Sequence, residues 1–136
     1  MIVNDASELT NKLATRTYTC TGKSFQSDPL VLIHGWGSDS KTWSLILPEL
    51  RKHLNIITID LPGFGCSEFY KKDISLIKQS ILVNYFIDAI LKVIPANCSL
   101  MGWSLGGAIA TAMIGQYPSR FSNLITIATN PCFVKK

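Results

Sequence analysis

The chain has 136 residues, a length that fits one domain rather than two. Hydrophobic residues make up 47% of it and charged residues only 16%, which excludes an intrinsically disordered protein. The net charge is +4, but the basic residues are scattered along the chain, so nucleic acid is not an expected partner.

The cysteines, the N-terminus and the longest uncharged segment bear on metal binding and location. The four cysteines form no Cys-x-x-Cys pair and the two histidines lie at no zinc-ligand spacing, so we expect no metal site. The N-terminus lacks the pattern of a signal peptide, which predicts a cytoplasmic protein with free thiols. No charged residue lies between Lys92 and Arg120, but Pro95 and the glycines favour a buried strand, turn and helix over a membrane span. We therefore expect no membrane partner.

In chain order, the first half of the sequence combines short apolar runs with one helical pattern. One or two short strands fit around residues 16–21. A continuous apolar run at 30–33 predicts a strand covered on both faces, as in a parallel sheet. Apolar residues at spacings of three and four predict a helix over 42–54. A second apolar strand is predicted at 56–59, and the Pro-Gly and Gly residues of 60–65 then require a loop.

The second half continues the alternation of helices and strands. An amphipathic helix is predicted over 74–93. Its polar stripe is formed by Asn84, Asp88 and Lys92. A strand at 98–103, a helix at 105–117 and a buried strand at 124–128 follow. This order predicts an α/β fold, a mostly parallel sheet with helices on both faces. We expect the last strand either to be a sheet edge or to be followed by more of the domain.

One motif carries chemistry. Gly102-Trp103-Ser104-Leu105-Gly106 matches G-x-S-x-G, and it lies between a predicted strand and a predicted helix, as a nucleophile elbow requires. The serine of such an elbow sits on a sharp, strained turn, so the residues two positions before and after it must be small. The N-terminus of the following helix favours the negative charge that develops during attack. The sequence therefore predicts Ser104 as the nucleophile, with Gly102 and Gly106 as the elbow glycines.

An elbow also needs two N–H donors for the oxyanion. One is the N–H of the residue after the nucleophile, here Leu105, and the other comes from a loop after an earlier strand. His34-Gly35-Trp36-Gly37 follows the strand at 30–33, and the Trp36 N–H is the expected second donor. We interpret His34 as shaping this loop, not as the general base.

Other polar and aromatic residues receive structural interpretations. Asp60 is expected to be an acceptor that stabilises its turn, and His53 a solvated helix cap. Cys66 and Cys98 have no histidine partner in sequence and are expected to be ordinary thiols. The aromatic residues Trp103 and Phe64 could line an acyl pocket or belong to the core.

Three segments, 32–37, 60–67 and 102–107, together resemble the α/β-hydrolase superfamily. Tryptophan at 36 and at 103, together with Asn130-Pro131-Cys132-Phe133, is similar to the carboxylesterase family of biotin synthesis. That family removes the methyl ester from pimeloyl-acyl-carrier protein. The resemblance implies a serine esterase without a cofactor, whose substrate is an acyl ester carried on acyl-carrier protein. It also implies that Trp36 borders the ester pocket.

The resemblance covers only the N-terminal half of such an enzyme. We therefore interpret residues 1–136 as the N-terminal part of a single α/β-hydrolase domain, with a truncated sheet and with the lid and C-terminal strands absent. In this superfamily the chain order is serine, acid, histidine, and no Asp, Glu or His follows Ser104. The chain thus contains no candidate for the triad acid or histidine, and we expect little activity from it alone.

Three other hypotheses remain open. The chain could belong to another hydrolase of the same fold, such as a general esterase or a lactonase. It could be a non-catalytic remnant that binds an acyl group or a partner. It could also be half of a split enzyme, in which a second polypeptide supplies the acid and the histidine.

Overall fold

The computed structural model describes residues 13–22, 27–67 and 79–130. They form a five-stranded sheet in the order β1-β3-β2-β4-β5, in which β2 to β5 are parallel to one another and β1 is antiparallel to β3. This confirms the predicted mostly parallel sheet. The strands are β1 Thr15–Tyr18, β2 Leu30–Ile33, β3 Ile56–Ile59, β4 Cys98–Trp103 and β5 Phe121–Ile127.

The two central strands explain why their sequences are apolar throughout. Every residue of β2 and β3 is buried, because layers of side chains cover both faces of the sheet. On one face, Val31 and Ile33 belong to a large apolar cluster with residues of the long helices. On the other face, Leu30 and Leu32 belong to a smaller cluster around Trp43. The predicted placement of helices on both faces is confirmed.

In the described part of the chain, three α-helices and two short 3₁₀ helices surround the sheet. They are 3₁₀ Ser40–Trp43, α1 Leu47–Leu50, α2 Gln79–Leu91, α3 Leu105–Gln116 and 3₁₀ Pro118–Arg120. In α2, the predicted polar residues Asn84 and Asp88 are exposed and Phe86 is fully buried, as expected. Residues 74–78 of that predicted helix lie outside the described residues. None of the helices in the described ranges is long and apolar enough to cross a membrane.

The predicted continuous helix over 42–54 is wrong. The segment forms a 3₁₀ helix that ends at Trp43 and, after a turn, the single-turn helix α1. Pro48 stands in the first turn of α1, where its missing N–H is not needed, whereas inside a longer helix it would remove a hydrogen bond and clash with the preceding turn. Of the apolar positions on which the prediction rested, Trp43 is buried but Ile46 is exposed.

The outermost strand, β5, differs from the expected buried strand. It spans Phe121–Ile127 instead of 124–128, and all of its residues except Phe121 are exposed. Within the described ranges, β5 pairs only with β4, so it is an edge of the sheet. β5 contacts β4 and helix α3. The side chains of Leu124, Ile125 and Ile127 are nevertheless exposed to solvent.

Two glycines of α3 provide a matched test of the packing between this helix and the sheet. A Cβ on Gly106 would overlap the carbonyl oxygen of Ile33, whereas a Cβ on Gly115 would meet nothing within 4 Å. We expect Gly106→Ala to lower the free energy of unfolding by about 2 kcal/mol or more, because backbone must shift. Gly115→Ala should raise it by about 0.5–1 kcal/mol. Urea unfolding followed by circular dichroism measures both, and equal stability of the two variants would contradict this packing.

Candidate active site

Ser104 lies at the turn between β4 and α3 and is exposed to solvent. Its backbone has φ 53° and ψ −117°, a conformation that costs a non-glycine residue free energy and that is concentrated at functional sites. Its N–H donates to the Ile127 carbonyl at 2.9 Å, and its own carbonyl accepts from the Gly107 N–H at 3.0 Å. Bonds to β5 and to α3 therefore hold the strained turn in place.

The glycines on either side of Ser104 are needed for steric reasons. A Cβ on Gly102 would overlap the backbone of Gly106, and a Cβ on Gly106 would overlap the Ile33 carbonyl. The end of β4, the start of α3 and the end of β2 thus meet with no room for side chains. The strand–turn–helix geometry predicted from the motif is present.

The loop after β2 lies directly against Ser104. A Cβ built on Gly35 would stand 3.3 Å from Ser104 Cβ. The next residue, Trp36, has an exposed side chain, and its backbone N–H makes no hydrogen bond within the described part of the chain. The same holds for the N–H of Leu105, the first residue of α3, as expected for a helix N-terminus. Neither of the two predicted oxyanion donors is thus used in a hydrogen bond within the described residues. Leu105 follows Ser104 in the chain, and Trp36 belongs to the loop after β2 that lies against Ser104.

His34 is fully buried and joins the two loops that follow β2 and β3. Its Nε2 accepts the Leu61 N–H at 2.9 Å, so Nδ1 carries the proton and donates to the Gly35 carbonyl at 2.7 Å. Burial lowers the pKa of His34 below its ordinary value, which keeps the ring neutral. With both ring nitrogens engaged, the side chain acts as a brace of the loop, in agreement with the sequence interpretation.

Asp60 braces the same region from the end of β3. Its Oδ1 accepts the Ser40 N–H at 2.7 Å and its Oδ2 accepts the Cys66 N–H at 2.9 Å. Burial by itself would raise the pKa of this carboxyl, but the hydrogen bonds from Cys66 and Ser40 outweigh it and the pKa lies below its ordinary value. The turn-stabilising role predicted for Asp60 is confirmed.

Sequence reasoning missed Ser67. Its hydroxyl donates to the Asp60 carbonyl at 2.5 Å and accepts the Ala14 N–H at 2.8 Å, so it ties the loop after β3 to the segment before β1. Ser67 ends the segment 60–67 that carries part of the family resemblance, but its spacing from Asp60 does not indicate these bonds. Only the structure shows which backbone groups it reaches.

The remaining predicted residues lie at several places in the fold. His53 is exposed, with its Nε2 3.9 Å from Glu49. Cys98 is buried, which raises the pKa of its thiol to about 11, while Cys66 is exposed. Trp103 packs against the smaller apolar cluster, whereas Phe64 contacts Trp36. Cys132 and Phe133 lie outside the described residues, and within those ranges no three His, Cys, Asp or Glu residues group as metal ligands.

Comparison with known proteins identifies the class. The sequence model of the alpha/beta hydrolase fold family matches residues 28–134, and the chain belongs to this family. A 2-hydroxy-6-oxo-6-phenylhexa-2,4-dienoate hydrolase from Rhodococcus sp. strain RHA1 has a similar structure, with a TM-score of 0.70 and 22% identity. The likeness covers 86% of this chain and 47% of that one. At this identity it shows the fold alone.

Sequence relatives narrow the similarity further. The chain is 41% identical, over 78% of its length, to a biotin biosynthesis bifunctional protein BioHC of Teredinibacter turnerae. It is 38% identical, over 82% of its length, to a pimeloyl-[acyl-carrier protein] methyl ester esterase of Aeromonas salmonicida. These matches span 18% of the first relative and 41% of the second, so the chain covers less than half the length of either.

The buried neutral state of His34 predicts a pH dependence of stability. The unfolded chain protonates this ring near 6.5 and the folded protein resists protonation. The free energy of unfolding should therefore fall as pH is lowered from about 7.5 to about 5, because the unfolded state then binds more protons. Asp60 adds nothing in this window, since its lowered pKa matters only below its ordinary 3.8.

Urea titrations at several pH values measure this slope. We expect His34→Gln to flatten it and the exposed-site control His53→Gln to retain it. A parent protein whose stability is constant or rises toward pH 5 would show that His34 is not held neutral by the fold.

Proposed function

We propose that this chain is the N-terminal part of a single α/β-hydrolase domain of a serine carboxylesterase, whose substrate is the methyl ester of pimeloyl-acyl-carrier protein in biotin synthesis. The strained, exposed Ser104 beside two unoccupied N–H groups is the observation that carries the proposal. Similarity to the Aeromonas salmonicida pimeloyl-[acyl-carrier protein] methyl ester esterase supports the choice of substrate, and similarity to the biotin biosynthesis protein of Teredinibacter turnerae supports the pathway.

In this proposal Ser104 is the nucleophile. Its Oγ attacks the ester carbonyl carbon, and the carbonyl oxygen becomes an oxyanion that accepts the N–H groups of Trp36 and Leu105. Collapse of the tetrahedral intermediate expels methanol and leaves an acyl-enzyme, which water hydrolyses to the free acid. Each oxyanion donor of this kind contributes roughly 3 kcal/mol to lowering the barrier. No cofactor takes part in these steps.

The proton of Ser104 needs an acceptor in this mechanism. His34 cannot serve, because its Nε2 already accepts from Leu61 inside the fold. In this superfamily the acid and the histidine follow the serine, and no such residue occurs after Ser104 in the 136 residues. We propose that polypeptide corresponding to the unmatched part of the longer relatives supplies both groups.

A chimera tests the role of Ser104. This chain, followed by the part of the Aeromonas salmonicida esterase that lies beyond the match, should hydrolyse p-nitrophenyl butyrate. Ser104→Ala in the chimera should reduce kcat by about 10⁴- to 10⁶-fold, since triad residues act as a unit. The control Ser44→Ala, at an exposed position of another loop, should leave kcat unchanged. A folded chimera that ignores Ser104→Ala would reject this serine as the nucleophile.

The chain without the added segment should be almost inactive. We expect its rate with the same ester to lie about 10⁴-fold or more below that of the chimera, because Ser104 then has no base. The measurement compares the purified 136-residue chain with its own Ser104→Ala variant. Hydrolysis well above that variant would mean that a group within this chain accepts the proton.

A further inference from the structure

Among the described residues, the exposed indole of Trp36 has one ring contact, with Phe64. The indole of Trp36 is 57% exposed, and Phe64 meets it edge-to-face with ring centroids 5.1 Å apart and planes at 72°. Edge-to-face pairs of this kind have a preferred geometry, so this contact favours one orientation of the indole. Phe64 thus determines where the indole of Trp36 points.

Phe64 itself is firmly placed. Its ring packs edge-to-face against the buried ring of His34, with centroids 5.8 Å apart. Its N–H donates to the Leu61 carbonyl at 2.9 Å, and its carbonyl accepts the Ser67 N–H at 3.0 Å. The rings of His34, Phe64 and Trp36 therefore form an aromatic row that runs from the core to the surface.

The loop that carries His34 and Trp36 passes beside the candidate nucleophile. Gly35 joins His34 to Trp36, and a Cβ on Gly35 would be 3.3 Å from Ser104 Cβ. Trp103, the residue before the nucleophile, packs against the smaller apolar cluster, and its Cε3 would lie 3.1 Å from the same Cβ on Gly35. Of the two aromatic residues left open by the sequence, Phe64 is the one that contacts the exposed indole of Trp36.

We propose that Phe64 is a specificity-determining residue: by fixing the Trp36 indole it builds an apolar wall beside Ser104 that holds the methylene chain of an ester's acyl group. This inference rests on the proposed function and gives a positioning role to Phe64, which the sequence left between an acyl pocket and the core. A rigid apolar wall favours longer acyl chains, since each methylene buried against it strengthens binding by about fourfold. A freely rotating indole loses part of this gain to ordering.

Fluorine NMR tests the wall without requiring turnover. The chain contains three tryptophans, and 5-fluorotryptophan gives each its own signal, which Trp→Phe variants assign. The probes are dimethyl pimelate and dimethyl malonate, which differ by four methylenes. We expect both to shift the Trp36 signal saturably, with dimethyl pimelate binding roughly tenfold or more tighter.

Phe64→Leu should move the Trp36 signal of the ligand-free protein and reduce the preference for dimethyl pimelate over dimethyl malonate to roughly threefold or less. Phe64→Tyr keeps an aromatic ring and should retain the preference of the parent protein. Tyr117→Leu is the matched aromatic control, because Tyr117 is the C-cap of α3 and lies about 20 Å from Ser104 along the helix. The signal of the buried Trp43 reports in the same spectrum that each variant is folded.

Three results would overturn the inference. They are an unchanged Trp36 signal in Phe64→Leu, an unchanged chain-length preference in that variant, and the absence of any shift when the esters are added to the parent protein. Each leaves the nucleophilic role of Ser104 standing, because the chimera tests that role separately. Conversely, a chimera that ignores Ser104→Ala, together with intact chain-length selection, would leave the aromatic wall as a binding site without the proposed chemistry.

Discussion

The site depends on one unfavourable backbone conformation, the positive φ of Ser104. A strained residue persists only where its surroundings leave it no alternative, and here three elements meet without side chains between them. The end of β2 touches α3 at Gly106, and the end of β4 touches it at Gly102. The Ile127 carbonyl of β5 holds the Ser104 N–H. The parallel sheet brings these backbone segments together around Ser104.

A second constraint positions the loops that surround this point. His34 connects the ends of β2 and β3, because its neutral ring accepts a hydrogen bond from the Leu61 N–H. Asp60 accepts backbone N–H groups from the loop after β2 and from the loop after β3. Their pKa values are lowered for different reasons, burial in one case and bound N–H groups in the other. Near neutral pH His34 is therefore neutral and Asp60 is ionised, and both accept these hydrogen bonds. The aromatic contacts of Phe64 are built on this frame.

The sequence predicted the features that depend on local sterics or on the immediate neighbours along the chain. The elbow at Ser104 is one, because small residues at fixed spacing are needed wherever such a turn occurs. The buried strands β2 and β3 are another, because continuous apolar runs need cover on both faces. The helix over 42–54 failed because periodic apolar residues were weighed without the effect of Pro48. The bonds of Ser67 and the orientation of Trp36 depend on how loops distant in sequence approach each other, and no local pattern encodes that.

The exposed edge at β5 has a consequence for handling the protein. Its seven residues, Phe-Ser-Asn-Leu-Ile-Thr-Ile, include no charged side chain and no proline, the usual devices that keep an open strand edge from pairing with another chain. Such a segment also has the composition of strands that stack into cross-β assemblies. Wherever this edge is uncovered, it favours intermolecular strand pairing, and aggregation by this route increases with protein concentration. A lysine or proline placed in β5 would then improve solubility without touching the loops around Ser104.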